Sequence, residues 1–370
     1  MEKHVNRREF ARMSALSLVA TQLSSTGIAQ PQRKIGYAPV GLGQISSIFM
    51  RAVANSSTTK ITGLVSGHPE KAARFADMYG VPRSSIYNYE DFDRIRENKD
   101  IDATYIGLPN SMHKEFTVRS AQAGKHVLCE KPMAISSAEC REMIAACRTA
   151  NVKLMIAYRI HYDPTHLKAV ELIKQGRIGE IQYCEGNFGS YFQANQWRLT
   201  RAMGGGGPLM DMGIYPLNTI RFYTGVEPVR FAALTSTMDH QSGRFKDIEE
   251  SLSWTMEMSS GVLANCATSY TTRLPGYIKV IGSRGNVLVT TAYSYEGLHL
   301  DAHLDDPDGK SGTDIHEDST GKMPFQFQIE AEDFAECILQ NKESRTPGEE
   351  GLKDLEAIEK IYAAAGQPIA

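Results

Sequence analysis

An acid and an amine stand together directly after a short run of β-forming residues at positions 126–129. Glu130 and Lys131 are therefore expected at the carboxyl end of a buried parallel strand, the edge where open α/β sheets bind ligands. Pro132 has no backbone donor and favours an extended Lys131, so strand pairing should stop there and the lysine should be held at a fixed angle. Its ammonium could donate to a substrate hydroxyl. The alternative is a solvated lysine at a strand end.

A second cluster of chemically useful residues follows the four glycines at positions 204–207. Pro208 is tolerated at the first position of a helix, so the pattern predicts a loop that becomes a helix. Asp211 and Tyr215 then lie four residues apart on one helical face. Pro216 cannot donate the helical backbone hydrogen bond, so we expect a distorted turn at this point.

The chemistry that these two clusters predict is proton transfer. The phenol of Tyr215 can pass a proton to or from a carbinol oxygen, and a nearby cation such as Lys131 would make it a stronger acid. Asp211 would then orient hydroxyl groups of the substrate. The alternative is an Asp in a capping turn and a Tyr in the core. Lys131 and the nucleotide-binding pattern described next favour the catalytic interpretation.

The elements that must position these residues begin with a strand at 34–40 and a helix at 45–54. Between them, Gly41 allows a tight turn and Gly43 lets a pyrophosphate approach the helix N-terminus, where unpaired N–H groups favour anions. Leu42 lies in the same turn. Ser46 stands where a third Gly or Ala is usual, and it is small enough to keep the helix close to the sheet.

The second strand, at 60–66, ends without the acidic residue that usually binds the ribose 2′-hydroxyl of NAD. Ser66, Gly67, His68 and Lys71 occupy that end instead. A hydroxyl and a cation suit a 2′-phosphate, so the sequence favours NADP. The alternative for Lys71 is a solvated residue in the first turn of a helix at 69–79, which Gly80 would end.

The alternation of strands and helices continues to residue 158. A strand at 103–108 leads into Pro109 and Asn110, and Asn110 is expected to cap a helix at 111–123. The strand into Glu130 follows, then a helix that a capping box at Ser136 opens, then a strand at 153–158. The pattern predicts an N-terminal doubly wound, Rossmann-type dinucleotide-binding domain at 30–158.

Long alternating segments then predict a C-terminal α+β domain at 159–370, with a large, mostly antiparallel, open-faced sheet. The predicted strands are 180–188, 229–238, 249–258, 262–270, 277–281 and 287–291. Asp163 and Pro164 should start a helix that ends near residue 175. We expect the acidic, Gly-rich stretch 305–320 to be a mobile loop, and we expect closing helices at 324–340 and 352–365 that can pack back on the first domain.

Composition narrows the classes of function. The chain has 370 residues, a net charge of −3 and no basic block after its N-terminus, which argues against a nucleic-acid partner. Its six cysteines are scattered without a C-x-x-C pair, so we expect reduced core residues. The ten histidines show no metal-binding spacing, and no metal site is predicted.

Residues 1–29 are predicted to be an export signal. Arg7 and Arg8, with Phe10 two positions later, precede an apolar run at 13–23 that is too short to span a bilayer. Cleavage after Ala29 would leave a mature protein with no membrane segment. This is typical of the twin-arginine route to the periplasm, which carries folded proteins; the alternative is an amphipathic cytosolic helix.

Gly41-x-Gly43, Leu108-Pro109-Asn110 with His113, Glu130-Lys131-Pro132, and the turn leading to Asp211 and Tyr215 together resemble the Gfo/Idh/MocA oxidoreductase family. Within it, the chain is most similar to the periplasmic glucose–fructose and aldose–aldose oxidoreductases. Residues 30–33 leave almost nothing before the first strand, whereas the glucose–fructose enzymes carry a long proline-rich arm. Cofactor shielding and tetramer assembly by such an arm are therefore not expected here.

The resemblance implies a tightly bound NADP, sugar substrates, ping-pong hydride transfer and a homo-oligomer formed through the C-terminal sheet. It places Leu108, Pro109, Asn110, His113, Glu130, Lys131, Arg159, Trp197 and Arg198 near the cofactor, with Arg198 a candidate partner for phosphate. Tyr158 and His161 are expected at the sugar, beside Lys131, Asp211 and Tyr215. One alternative is a simple NAD(P)-dependent sugar dehydrogenase. Another is an exported NAD-dependent glycosidase, but the presence of Glu130 and Lys131 argues against it. A third is a sugar-binding module without catalytic activity.

Overall fold

The computed structural model describes residues 33–306 and 308–369, and every structural statement below concerns this part of the chain. The predicted export signal at 1–29 lies outside the described residues. The described chain begins directly before the first strand, at Arg33 and Lys34.

A parallel sheet of seven strands forms the first half of the chain, as the alternation of strands and helices predicts. Its strands are β1 (Ile35–Val40), β2 (Thr59–Ile61), β3 (Leu64–Val65), β4 (Ile86–Tyr87), β5 (Ala103–Ile106), β6 (His126–Glu130) and β7 (Leu154–Ala157). They lie in the order β4-β3-β1-β5-β6-β7, with β2 also paired to β1. The order reverses beside β1, and in doubly wound sheets the ligand crevice lies at that point.

Helices connect these strands, and their ends follow local signals. They are α1 (Gln44–Asn55), α2 (Pro69–Tyr79), α3 (His113–Gln122) and α4 (Ser137–Thr149). Gly80 ends α2 in the left-handed conformation, at φ 67°, as its sequence position predicts. Ser136 caps α4, because its hydroxyl oxygen accepts the backbone N–H of Glu139. The capping box is incomplete, since the carboxylate of Glu139 accepts the backbone N–H of Ile135 rather than that of Ser136.

Two local predictions in this half are wrong. The strand predicted at 60–66 is broken into β2 and β3, and Gly63 between them packs so closely against Ile101 that a Cβ atom there would lie 2.7 Å from its side chain. Asn110 does not cap a helix, because its side chain donates to the carbonyl of Gly204 and a 3₁₀ turn (Asn110–Met112) precedes α3.

A second sheet of eight strands forms the rest of the chain, in the order β15-β14-β13-β12-β8-β11-β10-β9. Its strands are β8 (Ile181–Gly189), β9 (Pro228–Ser236), β10 (Ser251–Met258), β11 (Leu263–Ser269), β12 (Tyr277–Gly282), β13 (Gly285–Thr290), β14 (His299–Asp305) and β15 (Gly312–Asp318). All neighbours are antiparallel except β8 and β11. The prediction of a mobile loop at 305–320 is wrong, because Gly312–Asp318 forms the edge strand β15. This strand is paired along its whole length with β14.

Three helices pack against strands of this sheet: α5 (Pro164–Lys174), α7 (Ile214–Thr224) and α9 (Gly348–Ala364). The short helix α6 (Arg201–Gly204) lies against the turn at Asn110–Met112, α8 (Phe325–Gln340) packs on α1 of the first half, and a π-helical turn at Leu209–Gly213 precedes α7. Asp163 caps α5 through the N–H groups of Thr165 and His166. One continuous apolar core joins both halves, and all six cysteines are buried and free, as predicted.

Candidate active site

A cleft of about 1000 Å³ opens at the carboxyl ends of the parallel strands, where they face the second sheet. Most of the side chains singled out from the sequence line it. They are Gly41, Leu42, Gly43, Ser66, Lys71, Leu108, Pro109, Asn110, His113, Glu130, Lys131, Arg159, Trp197, Arg198, Asp211 and Tyr215. The structure therefore brings residues from at least five separate loops to one concave surface.

The turn after β1 presents bare backbone to this cleft. Gly41 has φ +82°, and a Cβ atom there would lie 2.6 Å from the Leu108 side chain. A Cβ on Gly43 would meet no atom within 4 Å, so this residue faces open space at the start of α1. No side chain caps α1 at Gly43, which leaves first-turn N–H groups available to an anion.

At the end of the cleft that follows β3, no Asp or Glu stands at positions 66–68. Ser66 Oγ accepts the backbone N–H of His68 at 3.0 Å, and both residues line the cleft with Lys71. Gly67 does not line it; a Cβ there would lie 3.0 Å from the ring of Tyr89. This end can accept a phosphate better than a free ribose diol, because it offers a hydroxyl and an ammonium.

Lys131 lies at the centre of the cleft with its ammonium nearly buried. Its Nζ donates to the carbonyl of Asp211 at 2.7 Å and to Asp211 Oδ1 at 3.2 Å. The same Nζ lies 4.4 Å from the centre of the Tyr215 ring. Burial by itself lowers the pKa of Lys131, but Tyr215, Asp211 and Glu130 together raise it, so the ammonium stays charged. Of its three donors, one remains for another ligand.

Asp211 is held by cations on both sides. Arg198 Nε donates to its Oδ2 at 2.9 Å, and Tyr270 adds a hydrogen bond at 3.3 Å. Burial opposes ionisation, yet Lys131 and Arg198 hold the pKa of Asp211 below its usual range. Asp211 therefore serves first to hold these two cations. Arg198 lines the cleft and is bound to Asp211 through Nε, and its pairing with a phosphate stays a prediction.

Tyr215 projects into the cleft from a distorted helical turn, as Pro216 predicts. The chain makes a π-helical turn at Leu209–Gly213 and becomes α-helical from Ile214. The ring of Tyr215 meets Phe188 edge-on at 5.4 Å, and the guanidinium of Arg159 lies 5.2 Å from its centre. Two cations, Lys131 and Arg159, thus lie within 5.2 Å of the centre of the Tyr215 ring, surroundings that suit proton transfer by the phenol.

Arg159 and Glu130 are fixed by the surrounding structure. Arg159 donates to the carbonyls of Tyr293 and Ser294 and to Gln326 Oε1. Glu130 accepts the hydroxyl of Tyr105 at 2.6 Å. Burial raises the pKa of Glu130, although the hydrogen bond from Tyr105 and the charge of Lys131 act in the opposite direction.

Two family models match the chain: an oxidoreductase family with an NAD-binding Rossmann fold at residues 35–158, and a GFO/IDH/MocA C-terminal domain at 166–288. A D-xylose 1-dehydrogenase [NADP(+)] from Haloarcula marismortui is 32% identical over 343 residues, which are 90% of this chain and 91% of that protein. The chain belongs to the Gfo/Idh/MocA family.

Solved structures agree with this family assignment. The crystal structure of an aldose–aldose oxidoreductase from Caulobacter crescentus, complexed with glycerol, matches with a TM-score of 0.85 and 41% identity, over 90% of this chain and 98% of that one. A levoglucosan dehydrogenase in complex with NADH and levoglucosan matches with a TM-score of 0.79 but only 20% identity, so it shows the fold alone. The protein is thus a sugar oxidoreductase of the Gfo/Idh/MocA family.

Two residues predicted at the sugar lie outside the cleft of this Gfo/Idh/MocA protein. Tyr158 is buried, and its hydroxyl donates to Asp354 at 2.6 Å. His161 pairs with Asn218 at 2.8 Å and stacks on Phe222, and burial lowers its pKa to about 4. The structure therefore does not bring these two side chains into the cleft, because both are bonded to partners in the core, and their contact with a sugar stays a prediction.

His113 lines the cleft, but its ring holds the surrounding loops rather than facing a ligand. Its Nδ1 lies 2.9 Å from the carbonyl of Pro132 and its Nε2 lies 2.9 Å from that of Leu108. Burial lowers the pKa of His113, and a neutral imidazole carries one N–H, so one of these two contacts is a hydrogen bond that holds the ring between the turns after β5 and β6.

The structure also adds residues to the cleft that the sequence did not indicate. They are mainly aromatic residues on loops of the second sheet and one methionine after β15, namely Phe188, Tyr191, Phe192, Tyr293, Tyr295 and Met323. No local pattern marks them, because loop aromatics far apart in sequence meet only after the sheet has formed. Among the described residues, no cluster of metal-ligating side chains and no helix able to cross a membrane is found.

Proposed function

We propose that this protein is an NADP-dependent periplasmic oxidoreductase that oxidises one aldose at C1 to a lactone and reduces a second sugar to an alditol, by ping-pong hydride transfer. The observation that carries the proposal is the convergence of Lys131, Asp211 and Tyr215 in the cleft that also contains the bare turn at Gly41 and Gly43. A site for proton transfer therefore adjoins a site suited to a pyrophosphate.

The residues of the cleft fit NADP. Gly41 and Gly43 form a cradle that side chains would fill, and first-turn N–H groups of α1 would bind the pyrophosphate. Ser66 and Lys71 would bind the 2′-phosphate, since neither repels it. Bound NADP would accept hydride from one sugar and give it to the next.

The chain's own residues would manage the proton. As C1 of the aldose is oxidised, its hydroxyl must lose a proton, and Tyr215 would accept it; in the second half-reaction Tyr215 would return a proton to the new hydroxyl. The remaining donor of Lys131 would hold the sugar oxygen beside the phenol. Asp211 would keep Lys131 charged and oriented, and the aromatic side chains of Phe188 and Tyr293 would exclude water.

The similar proteins support the substrate class. One, at 41% identity, is named an aldose–aldose oxidoreductase, and the other, at 32% identity, is named a D-xylose 1-dehydrogenase [NADP(+)]. Both names concern aldoses, and the second concerns NADP. The second name also favours another candidate, a dehydrogenase that exchanges NADP with solution after each turnover.

The proposed export would require a cofactor that stays bound. The periplasm supplies no free nicotinamide pool, so an exported enzyme must regenerate its own cofactor by reducing a second sugar. The exposed apolar side chains Val229, Leu234 and Leu263, on the sheet of the second half, support the further proposal that two or more copies associate through that sheet.

Purified protein tests the proposal without added nucleotide. We expect denaturation to release about one NADP per chain, detected by mass spectrometry. Adding an aldose to the native protein should produce the absorbance of NADPH, and a second sugar should abolish it. Turnover that requires free NADP would favour the simple dehydrogenase instead. Release of NAD alone would overturn the cofactor assignment.

Variants at the cofactor end sharpen this test. Ser66→Asp should shift the preference toward NAD, because a carboxylate binds a ribose diol and repels a 2′-phosphate. Lys71→Ala should weaken NADP binding by roughly tenfold and leave NAD binding almost unchanged, since only NADP carries the phosphate that the ammonium meets. If Lys71→Ala weakened the binding of NADP and of NAD equally, Lys71 would not be the residue that binds the 2′-phosphate.

A further inference from the structure

The glycine-rich turn at 204–207 packs directly against two buried polar side chains, Glu249 and Tyr362. A Cβ atom on Gly207 would lie 2.6 Å from the carboxyl carbon of Glu249, and one on Gly206 would lie 2.5 Å from the hydroxyl of Tyr362. Side chains at these positions would push both groups away. The glycines therefore permit a contact between backbone and polar side chains that no other residue type would allow.

Hydrogen bonds fill this contact. The N–H of Gly207 donates to Glu249 Oε2 at 3.1 Å and to the Tyr362 hydroxyl at 3.0 Å. The N–H of Leu209 donates to Glu249 Oε1 at 3.4 Å, and the Tyr362 hydroxyl donates to the same oxygen at 2.7 Å. Burial raises the pKa of Glu249, while the hydrogen bonds from Tyr362 and from backbone N–H groups lower it. A buried carboxyl thus holds the backbone at the start of the π-helical turn.

The same turn is anchored at its other end to the cofactor side of the cleft. Asn110 donates its side-chain amide to the carbonyl of Gly204 at 2.9 Å, and both groups are buried. Asp211, which holds Lys131 through its backbone carbonyl and its carboxylate, follows Leu209 by two residues. The turn therefore connects the loop after β5 with the segment that carries Asp211 and Tyr215.

We propose that Glu249, assisted by Tyr362, is a positioning residue for the reaction, because it fixes the start of the helical segment that places Asp211 and Tyr215 against Lys131. The Glu249 carboxylate is bonded to Gly207, Leu209 and Tyr362, which are not among the cleft-lining residues, and it acts through the backbone of Gly207 and Leu209. A displacement of about 1 Å at reacting groups costs roughly a hundredfold in rate, so a small shift of this turn is enough. The proposal rests on the hydride-transfer function given above.

The neighbouring Glu250 provides a matched control. Its carboxylate is also buried and also accepts two backbone N–H groups, from Met238 at 2.6 Å and Asp239 at 2.8 Å, and a hydroxyl from Thr271. It holds a different loop and does not contact the glycine-rich turn. Glu249→Gln and Glu250→Gln therefore each replace a carboxylate that accepts two backbone N–H groups and a hydroxyl, and only the Glu249 carboxylate is bonded to the turn that leads to Asp211 and Tyr215.

The experiment compares holoenzymes of wild type, Glu249→Gln, Glu250→Gln and Tyr362→Phe. Hydrogen–deuterium exchange should be faster at 204–212 in the Glu249 and Tyr362 variants and faster at 237–240 in the Glu250 variant. Stopped-flow formation of NADPH on aldose addition should slow at least tenfold in Glu249→Gln, with bound NADP and the sugar concentration for half-saturation changed less than twofold. Glu250→Gln should stay within twofold of wild type in rate.

The outcomes separate the inference from the function on which it rests. A wild type that forms no NADPH with any aldose contradicts the proposed function, whereas the exchange data still report whether Glu249 holds the turn. A Glu249→Gln rate equal to that of Glu250→Gln overturns the positioning role, and so does a rate loss that only follows loss of bound NADP. If Glu249→Gln fails to fold, Tyr362→Phe decides, since it removes one acceptor of Gly207 and leaves the carboxylate in place; an unchanged rate there overturns the proposal.

Discussion

At the scale of single residues, the contacts of Lys131 determine what its ammonium group can do. Two of its donors go to Asp211, and its charge lies over the Tyr215 ring, so the lysine serves both as an oriented donor and as an electrostatic neighbour of the phenol. His161, the other residue that could have moved a proton, is neutral at physiological pH because burial lowers its pKa to about 4, and it is bound to Asn218. These contacts support the proposal that Tyr215 has the acid–base role.

Tyr215→Phe tests that role. We expect the variant to retain its cofactor and to form NADPH from aldose at least about a hundredfold more slowly, the usual scale of general acid–base catalysis. Lys131→Ala should cause similar damage, and the double variant should resemble the worse single one, because both residues act in one proton-transfer unit. Stopped-flow absorbance isolates this half-reaction from product release.

Tyr223→Phe is the matched control for a lost buried hydroxyl. Its OH bonds to His166, outside the cleft, so the variant should reduce its NADP at close to the wild-type rate. If Tyr215→Phe behaves like Tyr223→Phe, the phenol is only a packing group, and the acid–base role must be assigned to another residue.

At the scale of elements, sequence reasoning succeeded where one local signal decides the outcome. Gly80 ends α2, Asp163 caps α5, and Pro216 follows a distorted turn, because each effect depends on backbone chemistry within a few residues. It failed where a distant partner competes. Asn110 has the chemistry of a helix cap, but the carbonyl of Gly204, distant in sequence, takes its amide instead.

Strand β15 shows another limit of local patterns. The residues of Gly312–Asp318 are mostly acidic or small, which is typical of a loop, and burial does not mark them because most are exposed. The strand forms since β14 offers a free edge, and His299, His303 and His316 pair across it with aspartates. Cross-strand pairs of this kind are invisible until the register is known.

Helix α8 carries an unusual group, the buried carboxyl of Glu330. Among the described residues neither of its oxygens has a hydrogen-bond partner, and it lies near Glu130, Arg159 and Asp333. Burial, with the charge of Glu130, raises its pKa well above the usual range, while Arg159 opposes this. Glu330 is therefore a neutral acid at low pH, and it resists ionisation as the pH rises.

The sign of the resulting pH dependence follows from linkage. Below the ordinary pKa of a glutamate, the folded and the unfolded chain both hold the proton of Glu330. Above that pKa only the folded chain holds it. The free energy of unfolding therefore falls as the pH rises toward the raised pKa that Glu330 has in the folded protein. We expect Glu330→Gln to remove this loss. Between pH 5 and pH 8 the free energy of unfolding of this variant should fall less steeply with pH than that of wild type.

Urea unfolding at several pH values measures the difference between the two proteins. Glu332→Gln, on the same helix and only half-buried, is the control and should follow wild type at every pH. Parallel curves for wild type and Glu330→Gln would mean that Glu330 ionises normally in the folded protein, through contacts that the structure does not contain.

At the scale of the whole molecule, the two sheets could be predicted because their periods differ. Continuous apolar strands alternating with helices require a parallel sheet covered on both faces, and alternating strands require a sheet with one covered face. The shape of the cleft could not be predicted, because Tyr295 and Met323 reach it from loops whose paths depend on the finished second sheet. Function lies where the two halves meet, which neither half specifies alone.

The compartment of the protein bears on the whole cycle, since only a folded protein can carry a nucleotide across a membrane. We expect Arg7→Lys with Arg8→Lys to leave active, unprocessed protein with bound NADP in the cytoplasm, whereas wild type should reach the periplasm as a mature chain beginning at Gln30. Arg12→Lys, a change of equal chemistry outside the pair, should be exported normally. Cell fractionation with mass spectrometry of the N-terminus measures both. Export and cleavage of the double-lysine variant at the wild-type level would contradict the twin-arginine route. A permanently bound cofactor could then no longer be inferred from export of the folded protein.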